Sequence, residues 1–302
     1  MATTRRVFVS GPREKYLDVR TKGLREAILH EIGVGLGYEL VAFGTLAGGS
    51  GLVAGVTWNR AQAIQAMRRC VGAVLLGFPY WRVGDGERES GLVTEYCHYE
   101  GAIAAMLNLP ILALLEAGTA ERGAFDSRAG SPVLDVPADA TAAWVAGPEF
   151  KNFLRGWSER VKQRRDVFLG YSTPASALAQ IIRARLEADE ILVIDWARDF
   201  RKAGSILSEI EAAAARCSAA ILLFTRDELL RTEAAGSAPP RDNVLLEAGY
   251  FASAKGKERV LIVREEGAKM PADFGGDIYV SLKDGDTDAV LAGVMDFIRD
   301  RL

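Results

Sequence analysis

The sequence predicts an α/β protein made of two Rossmann-like, flavodoxin-like domains, each a mostly parallel sheet with helices on both faces. Three observations lead there. Short apolar runs alternate with amphipathic stretches along most of the chain, and parallel strands need a helical crossover between them. Runs such as Val71 to Phe78 are apolar without interruption, as a strand covered on both faces requires. The length of 302 residues exceeds the roughly 100 to 200 usual for one domain.

In the first half, Val7-Phe8-Val9-Ser10 reads as a strand, Gly11-Pro12 as a turn and Val19 to Gly33 as a helix. Glu39 to Ala42 gives a second strand, Gly44 to Gly55 a glycine-rich loop, and Trp58 to Arg69 a helix-like pattern. Val71 to Phe78 is the third strand, Pro79 to Ser90 a polar loop, Leu92 to Leu107 a helix and Ile111 to Leu115 a fourth strand. Gly118 to Gly147, rich in Ala, Gly, Ser, Pro and Asp, reads as an irregular connector. Gly147-Pro148 then opens a helix that carries Phe150, Phe153, Leu154, Trp157 and Val161 on one face, with proline tolerated in the first turn.

The second half repeats the order: strand Val167 to Leu169, helix Ala175 to Glu187, strand Ile191 to Ile194, helix Ser205 to Ala215 and strand Ala219 to Phe224. A polar stretch precedes a helix from Val244 to Ala254, strands Val260 to Val263 and Ile278 to Val280, and a last helix from Thr287 to Leu302. Cys70-Val-Gly-Ala-Val-Leu-Leu matches Cys217-Ser-Ala-Ala-Ile-Leu-Leu, and Glu100 and Glu247 each follow their cysteine by 30 residues. This is consistent with a repeated fold. The division expected is a first domain with its connector at 1–150, a linking helix at 151–165 and a second domain at 166–302.

Composition narrows the function. Hydrophobic residues are 49% and charged residues 25%, which is ordinary for a globular protein. A net charge of -3 leaves no broad basic surface, so direct nucleic-acid binding is not expected. The most apolar segment, Ala102 to Leu115, is broken by Asn108 and Pro110 and is shorter than the ~20 residues that span a membrane. No signal-peptide core follows Arg5-Arg6, and a cytoplasmic location with no membrane contact is expected. The three cysteines have no metal-ligand spacing and read as buried, reduced thiols. No metal is expected.

Ligands of open α/β sheets sit beyond the carboxyl ends of the strands. In the second half that edge should hold Gly170-Tyr171-Ser172, Asp195-Trp196 and Thr225-Arg226-Asp227, with Glu247 one turn into the helix that begins near Pro240-Arg241-Asp242-Asn243. On residue chemistry alone, Glu247 reads equally as a surface partner on a helix capped by Asp242 or Asn243. There is no histidine in this half, which removes a Ser-His-Asp triad or a His-based metal site there.

The order of these segments resembles the TIR domain of bacterial effectors that accompany cyclic-nucleotide-producing enzymes, the TIR-STING and Pycsar TIR type. The likeness covers Val167-Phe168-Leu169-Gly170, Trp196, Phe200, Gly204 to Leu207 and Ala220 to Thr225. Its most specific part is Pro240 to Phe251, followed by Gly256 to Val260 and Pro271 to Phe274. Ala248 stands where a larger apolar residue is common, and Arg226-Asp227 departs from the usual turn. The resemblance implies NAD+ glycohydrolysis with Glu247 as the catalytic carboxylate. It also implies that Gly170, Tyr171, Ser172, Trp196, Phe200, Ser205, Asp227, Arg241 and Asn243 line the NAD+ site. NAD+ would be substrate, with no cofactor beyond it, and the product linear or cyclic ADP-ribose.

Val7 to Pro12 together with Ser90 to Ala102 is similar to nucleoside deoxyribosyltransferase-like domains, which implies either an N-glycosidase using Glu95 or Glu100 or a related fold turned sensor. In the plainer reading both glutamates are exposed helix positions and His98 is a partly buried ring. As a sensor, this half would bind a nucleotide second messenger through Gly11, Pro12, Tyr80, Trp81 and Glu100, with Gly44 to Gly55 as a pocket wall, and drive a homo-oligomer or filament. Three functions follow: an antiviral NAD+ hydrolase switched by a nucleotide-like signal, a nucleoside-processing glycosidase, and a non-catalytic TIR adaptor.

Overall fold

The computed structural model describes residues 5–43, 58–84, 89–129, 131–200, 205–226, 242–270, 274 and 279–301. Contacts divide the chain into two units, Thr4–Gln163 and Arg164–Leu302.

The first unit contains strands β1 (Arg6–Ser10), β2 (Glu39–Val41), β3 (Gly72–Gly77), β4 (Trp81–Gly84), β5 (Glu89–Leu92), β6 (Ile111–Glu116) and β7 (Val133–Val136). Its α-helices are α1 (Val19–His30), α2 (Arg60–Arg68), α3 (Glu95–Met106) and α4 (Pro148–Lys162). The main sheet has the order β2-β1-β3-β6-β7, and every pairing in it is parallel. The second unit has β8 (Arg165–Gly170), β9 (Val193–Asp195), β10 (Cys217–Phe224), β11 (Val260–Glu265) and β12 (Tyr279–Leu282). Helices α5 (Ser176–Ala188), α6 (Trp196–Asp199), α7 (Ile206–Arg216), α8 (Asp242–Lys255) and α9 (Thr287–Arg301) complete it. Its sheet, β12-β11-β10-β8-β9, is also wholly parallel. Numbered within each unit, both sheets have the flavodoxin-like order 2-1-3-4-5. The chain leaves the first and third strands toward opposite sides, so a crevice opens between their carboxyl ends.

The hydrophobic pattern explains the layers. β3 and β10 are buried along their whole length, because helices cover both faces of each sheet. In the second unit one face packs Val167, Leu169, Ile221 and Leu223 against α5 and α9. The other packs Phe168, Ala220, Leu222 and Phe224 against α7 and α8. This is the period-two alternation of a strand, with both phases apolar.

The irregular reading of two segments is corrected by the structure. The polar loop expected at Pro79 to Ser90 contains the antiparallel hairpin β4–β5. The connector expected at Gly118 to Gly147 contains β7, which pairs with β6, and short 3-10 turns. Both strands are short, and β4 is exposed throughout, so neither carries the apolar run that marks a buried strand. The helix expected as a link at 151–165 lies inside the first unit as α4, with Phe150, Leu154, Trp157 and Val161 in its core. The glycine-rich loop Gly44 to Gly55 lies outside the described residues. Cys70, Cys97 and Cys217 are buried thiols in no disulfide, as expected. Among the described residues no helix is long and apolar enough to cross a membrane.

Trp157 is fully buried, and its indole N–H donates to the Pro110 carbonyl at 2.9 Å while the ring meets Tyr38 edge-on. Trp157→Ala should therefore cost the first unit about 3–5 kcal/mol and Trp157→Phe clearly less. Urea unfolding with hydrogen exchange read on peptides from that unit checks the ranking.

Candidate functional site

At the carboxyl end of β8 the strand finishes in Gly170, and α8 brings Glu247 directly onto it. A side chain built on Gly170 would run into the Glu247 carboxyl, Leu222 of β10 and the ring of Phe168. Glycine is therefore required here for space, and the acid lies over the crevice between β8 and β10. Glu247 is 6% exposed, and its Oε2 is buried with no hydrogen-bond partner among the described residues. The expectation of a surface ion pair fails at this position. Burial pushes the Glu247 carboxyl up from 4.5 to about 8, as desolvation of a charged form must when nothing compensates it.

An aromatic stack floors the acid. Phe168 stacks with Phe251 at 4.7 Å and with Phe200 at 5.8 Å, both rings nearly parallel to it. Leu222, Phe168 and Phe251 lie in the segments that carry the resemblance but were not among the expected site residues; only the crossing of α8 over β8 gives them a place beside Glu247.

The other expected residues divide. Ser172 is buried, and its hydroxyl meets that of Thr225 at 3.3 Å across the mouth of the crevice. Tyr171 is buried, and its hydroxyl donates to Asp195 at 2.8 Å. Asp195 also accepts from Arg183 at 2.5 Å and from the Ala197 amide at 3.0 Å. Burial and the hydrogen bond to Asp195 raise the Tyr171 phenol above its ordinary value. The tyrosine is thus committed to holding the end of β8 to the start of α6. Trp196 tilts against Tyr171 at 5.6 Å, and its indole Nε1 is buried without a partner among the described residues. Ser205, at the start of α7, and Asn243, in the first turn of α8, are exposed. Asp227 and Arg241 lie outside the described residues. Glu247 and Gly170 are the expected pair that the fold brings into direct contact.

These residues all belong to one segment with recognisable relatives. Residues 166–284 match the family described as CAP12/Pycsar effector protein, TIR domain. This segment is a TIR domain of that family. The Pycsar effector protein BcPycTIR of Burkholderia cepacia is 28% identical over 147 residues, 47% of this chain and 47% of that protein. CD-NTase-associated protein 12 of Sphingobacterium faecium is 28% identical over 113 residues, 37% of this chain and 35% of its own. The uncharacterized protein YuaY of Escherichia coli is 32% identical over 122 residues, 39% of this chain and 40% of its own. The chain thus spans half or less of the length of these relatives. Within the TIR domain, the described site residues from Gly170 to Glu247 all fall inside the matched range.

The first unit places its own acid in the corresponding position. Glu100 of α3 is 6% exposed, accepts the Ser10 hydroxyl at the end of β1, and accepts the Trp58 indole N–H at 2.9 Å. Desolvation raises it to about 7, against the lowering effect of those two donors. The plainer reading, an exposed helix position, is correct for Glu95 and fails for Glu100; His98 is half-buried, as that reading had it. Gly11 packs on Leu76, Pro12 is buried, Tyr80 lies edge-on between Tyr16 and Trp81, and Trp81 is 45% exposed. Trp58 as a partner of Glu100 carries no signal in the sequence, since it lies 42 residues away. Among the described residues no three His, Cys, Asp or Glu side chains are placed to hold a metal ion.

Glu247 gives the TIR domain a pH signature. The folded state keeps its proton up to about pH 8, while the unfolded chain loses it near 4.5. The folded state therefore binds more protons in that window, and this group makes stability fall as pH rises, by up to a few kcal/mol. Glu247→Gln removes the term. Its melting temperature relative to wild type should be near zero difference at pH 5 and increasingly higher toward pH 8.5, as read by calorimetry.

Proposed function

We propose that this protein is an antiviral effector in which the TIR domain hydrolyses NAD+ once a nucleotide-like signal, received by the first unit, has assembled several copies. The observation that carries this reading is the uncompensated Glu247 carboxyl, buried over Gly170 at the mouth of the crevice. The similarity of the TIR domain to proteins named Pycsar effectors supports the defence role.

The chemistry suits a lone carboxylate. In NAD+ the nicotinamide carries a positive charge, and when the glycosidic bond breaks its electron pair passes to the ring nitrogen, so the leaving group departs neutral. No acid is needed to protonate it. The ribose is left with oxocarbenium character, and an adjacent carboxylate stabilises that charge and accepts from the ribose hydroxyls. Water then adds to the anomeric carbon and loses a proton, giving ADP-ribose. In the empty site Glu247 is held protonated near neutral pH by desolvation. Arrival of the cationic ring favours the ionised form, so the substrate itself activates the acid. Trp196, with a free indole N–H, and Phe200, stacked on Phe168, supply planar surfaces and a donor on the same edge. By the TIR resemblance, Gly170 and Ser172 approach the ribose and pyrophosphate. By the same resemblance, Ser205, Asp227, Arg241 and Asn243 contribute to the NAD+ site, with Asp227 and Arg241 outside the described residues.

Nicotinamide release by the full chain, with and without a panel of 3′,5′-cyclic nucleotides, tests the reading. Turnover should require a signal and fall by about a hundredfold or more in Glu247→Ala. Turnover that survives Glu247→Ala and disappears in Glu100→Ala would assign the chemistry to the first unit. No turnover of NAD+ or nucleosides under any condition would leave an adaptor.

Two further outcomes are expected. Because the free site titrates at about 8 and the ionised form reacts, kcat/KM should rise with unit slope up to that pH, while the limb in kcat lies lower because bound substrate favours ionisation. Gly170→Ser should abolish turnover with the protein still folded, since its side chain fills the space beside Glu247; retention of wild-type kcat in that variant would separate Gly170 from the site.

A further inference from the structure

The two units place their glutamates in the same structural position. In the first, Ser10 pairs with Leu75, and Glu100 lies 25 residues after that leucine. In the second, Gly170 pairs with Leu222, and Glu247 lies 25 residues after it. In each case the acid meets the first-strand residue of that pair at the crevice of a 2-1-3-4-5 sheet. One atom group differs. Gly170 has no side chain to offer the Glu247 carboxyl that packs on it, whereas Ser10 carries a hydroxyl that donates to Glu100.

The surroundings of Glu100 define what it can hold. Its two hydrogen-bond partners among the described residues, the Ser10 hydroxyl and the Trp58 indole, are both neutral, one on each carboxylate oxygen. Each oxygen keeps a lone pair for a further N–H or O–H. Trp58 meets Tyr96 at 5.1 Å and Tyr99 at 6.0 Å, and these tyrosines are 49% and 60% exposed. On the same edge Tyr16, Tyr80 and Trp81 form a second aromatic run after β1 and β3. Thr119, just past β6, is buried with its hydroxyl unpartnered among the described residues. A fixed acceptor pair between aromatic faces, at the switch point of a parallel sheet, suits a flat ring that carries donors together with a hydroxylated sugar.

We infer that Glu100, Ser10 and Trp58 form a second ribonucleoside site, one that binds its ligand without cleaving it. The carboxylate accepts from the ribose hydroxyls or a base N–H, and the flanking aromatics pack against the base. Glu100 is pinned on both oxygens by neutral donors, where Glu247 has none among the described residues, so it recognises where Glu247 reacts. This deepens the reading of the first unit as the sensing part: it names the ribonucleoside moiety, shared by free nucleosides and by cyclic nucleotides, as the recognised chemistry.

Titration calorimetry on the full chain decides it, with adenosine, guanosine, cytidine and uridine in one arm and their 3′,5′-cyclic monophosphates in the other. At least one of the eight should bind at ligand concentrations of about 1 mM or below, and Glu100→Gln should weaken it by about tenfold or more. Trp58→Phe, which keeps a ring and removes the N–H, should weaken it less and serves as the readout if Glu100→Gln lowers the melting temperature into the working range. Binding in one arm only identifies the source, free nucleoside or cyclic nucleotide. Glu247→Gln should leave this binding unchanged while it stops nicotinamide release, so failure of the NAD+ reading and failure of this site are distinguishable. No binding in either arm, binding indifferent to both Glu100→Gln and Trp58→Phe, or Glu100-dependent release of free base from the ligand would each overturn the inference.

Discussion

A carboxyl group taken out of water without a partner is expensive to ionise, and the second unit is arranged so that Glu247 is in that condition. The acid sits between a glycine that cannot shield it and aromatic rings that cannot hydrogen-bond it. A carboxyl buried without compensation destabilises the fold whenever it is charged, so the surrounding sheet must hold it there. The stack of Phe168, Phe251 and Phe200, the fully buried β10 and the helices on both faces provide that rigidity.

Topology supplies the position. In both sheets the first and third strands are neighbours while their following helices lie on opposite faces, so the carboxyl ends of those strands are the one place where backbone ends without a crossover covering it. A helix arriving after the third strand then passes its first turns over the end of the first. Both Glu100 and Glu247 are delivered this way. Similar delivery has produced two different electrostatic outcomes. Glu100 is held by two donors at about 7, and Glu247, with none among the described residues, stands at about 8.

Tyr171 illustrates how an expected binding residue can take a different part. Its place after β8 matches a ligand edge, yet its hydroxyl is spent on Asp195, which Arg183 also grips. The residue fixes the geometry of the strand end, with Gly170 on one side of it packed against the Glu247 carboxyl and Ser172 on the other bridging to Thr225. Trp196 is the counterpart: its ring is packed, but its N–H has no partner among the described residues.

The alternation of apolar runs with helical stretches was enough to give two parallel α/β sheets, because parallel strands demand crossovers and double burial demands unbroken apolar sequence. The segment order from Val167 to Phe274 was enough to mark the TIR resemblance and to single out Glu247. Short strands such as the exposed β4 and the four-residue β7 were illegible, since their stability comes from a neighbouring strand and not from their own pattern. The burial of the two glutamates was equally hidden. Glu95 and Glu100 have the same residue type on the same helix, and one faces water while the other meets Ser10 and Trp58. By itself the sequence determined the fold class and the carboxylates to consider. Only the tertiary structure decided which of them lost water and what stood beside each, because desolvation depends on residues 42 to 90 positions away that local pattern cannot bring together.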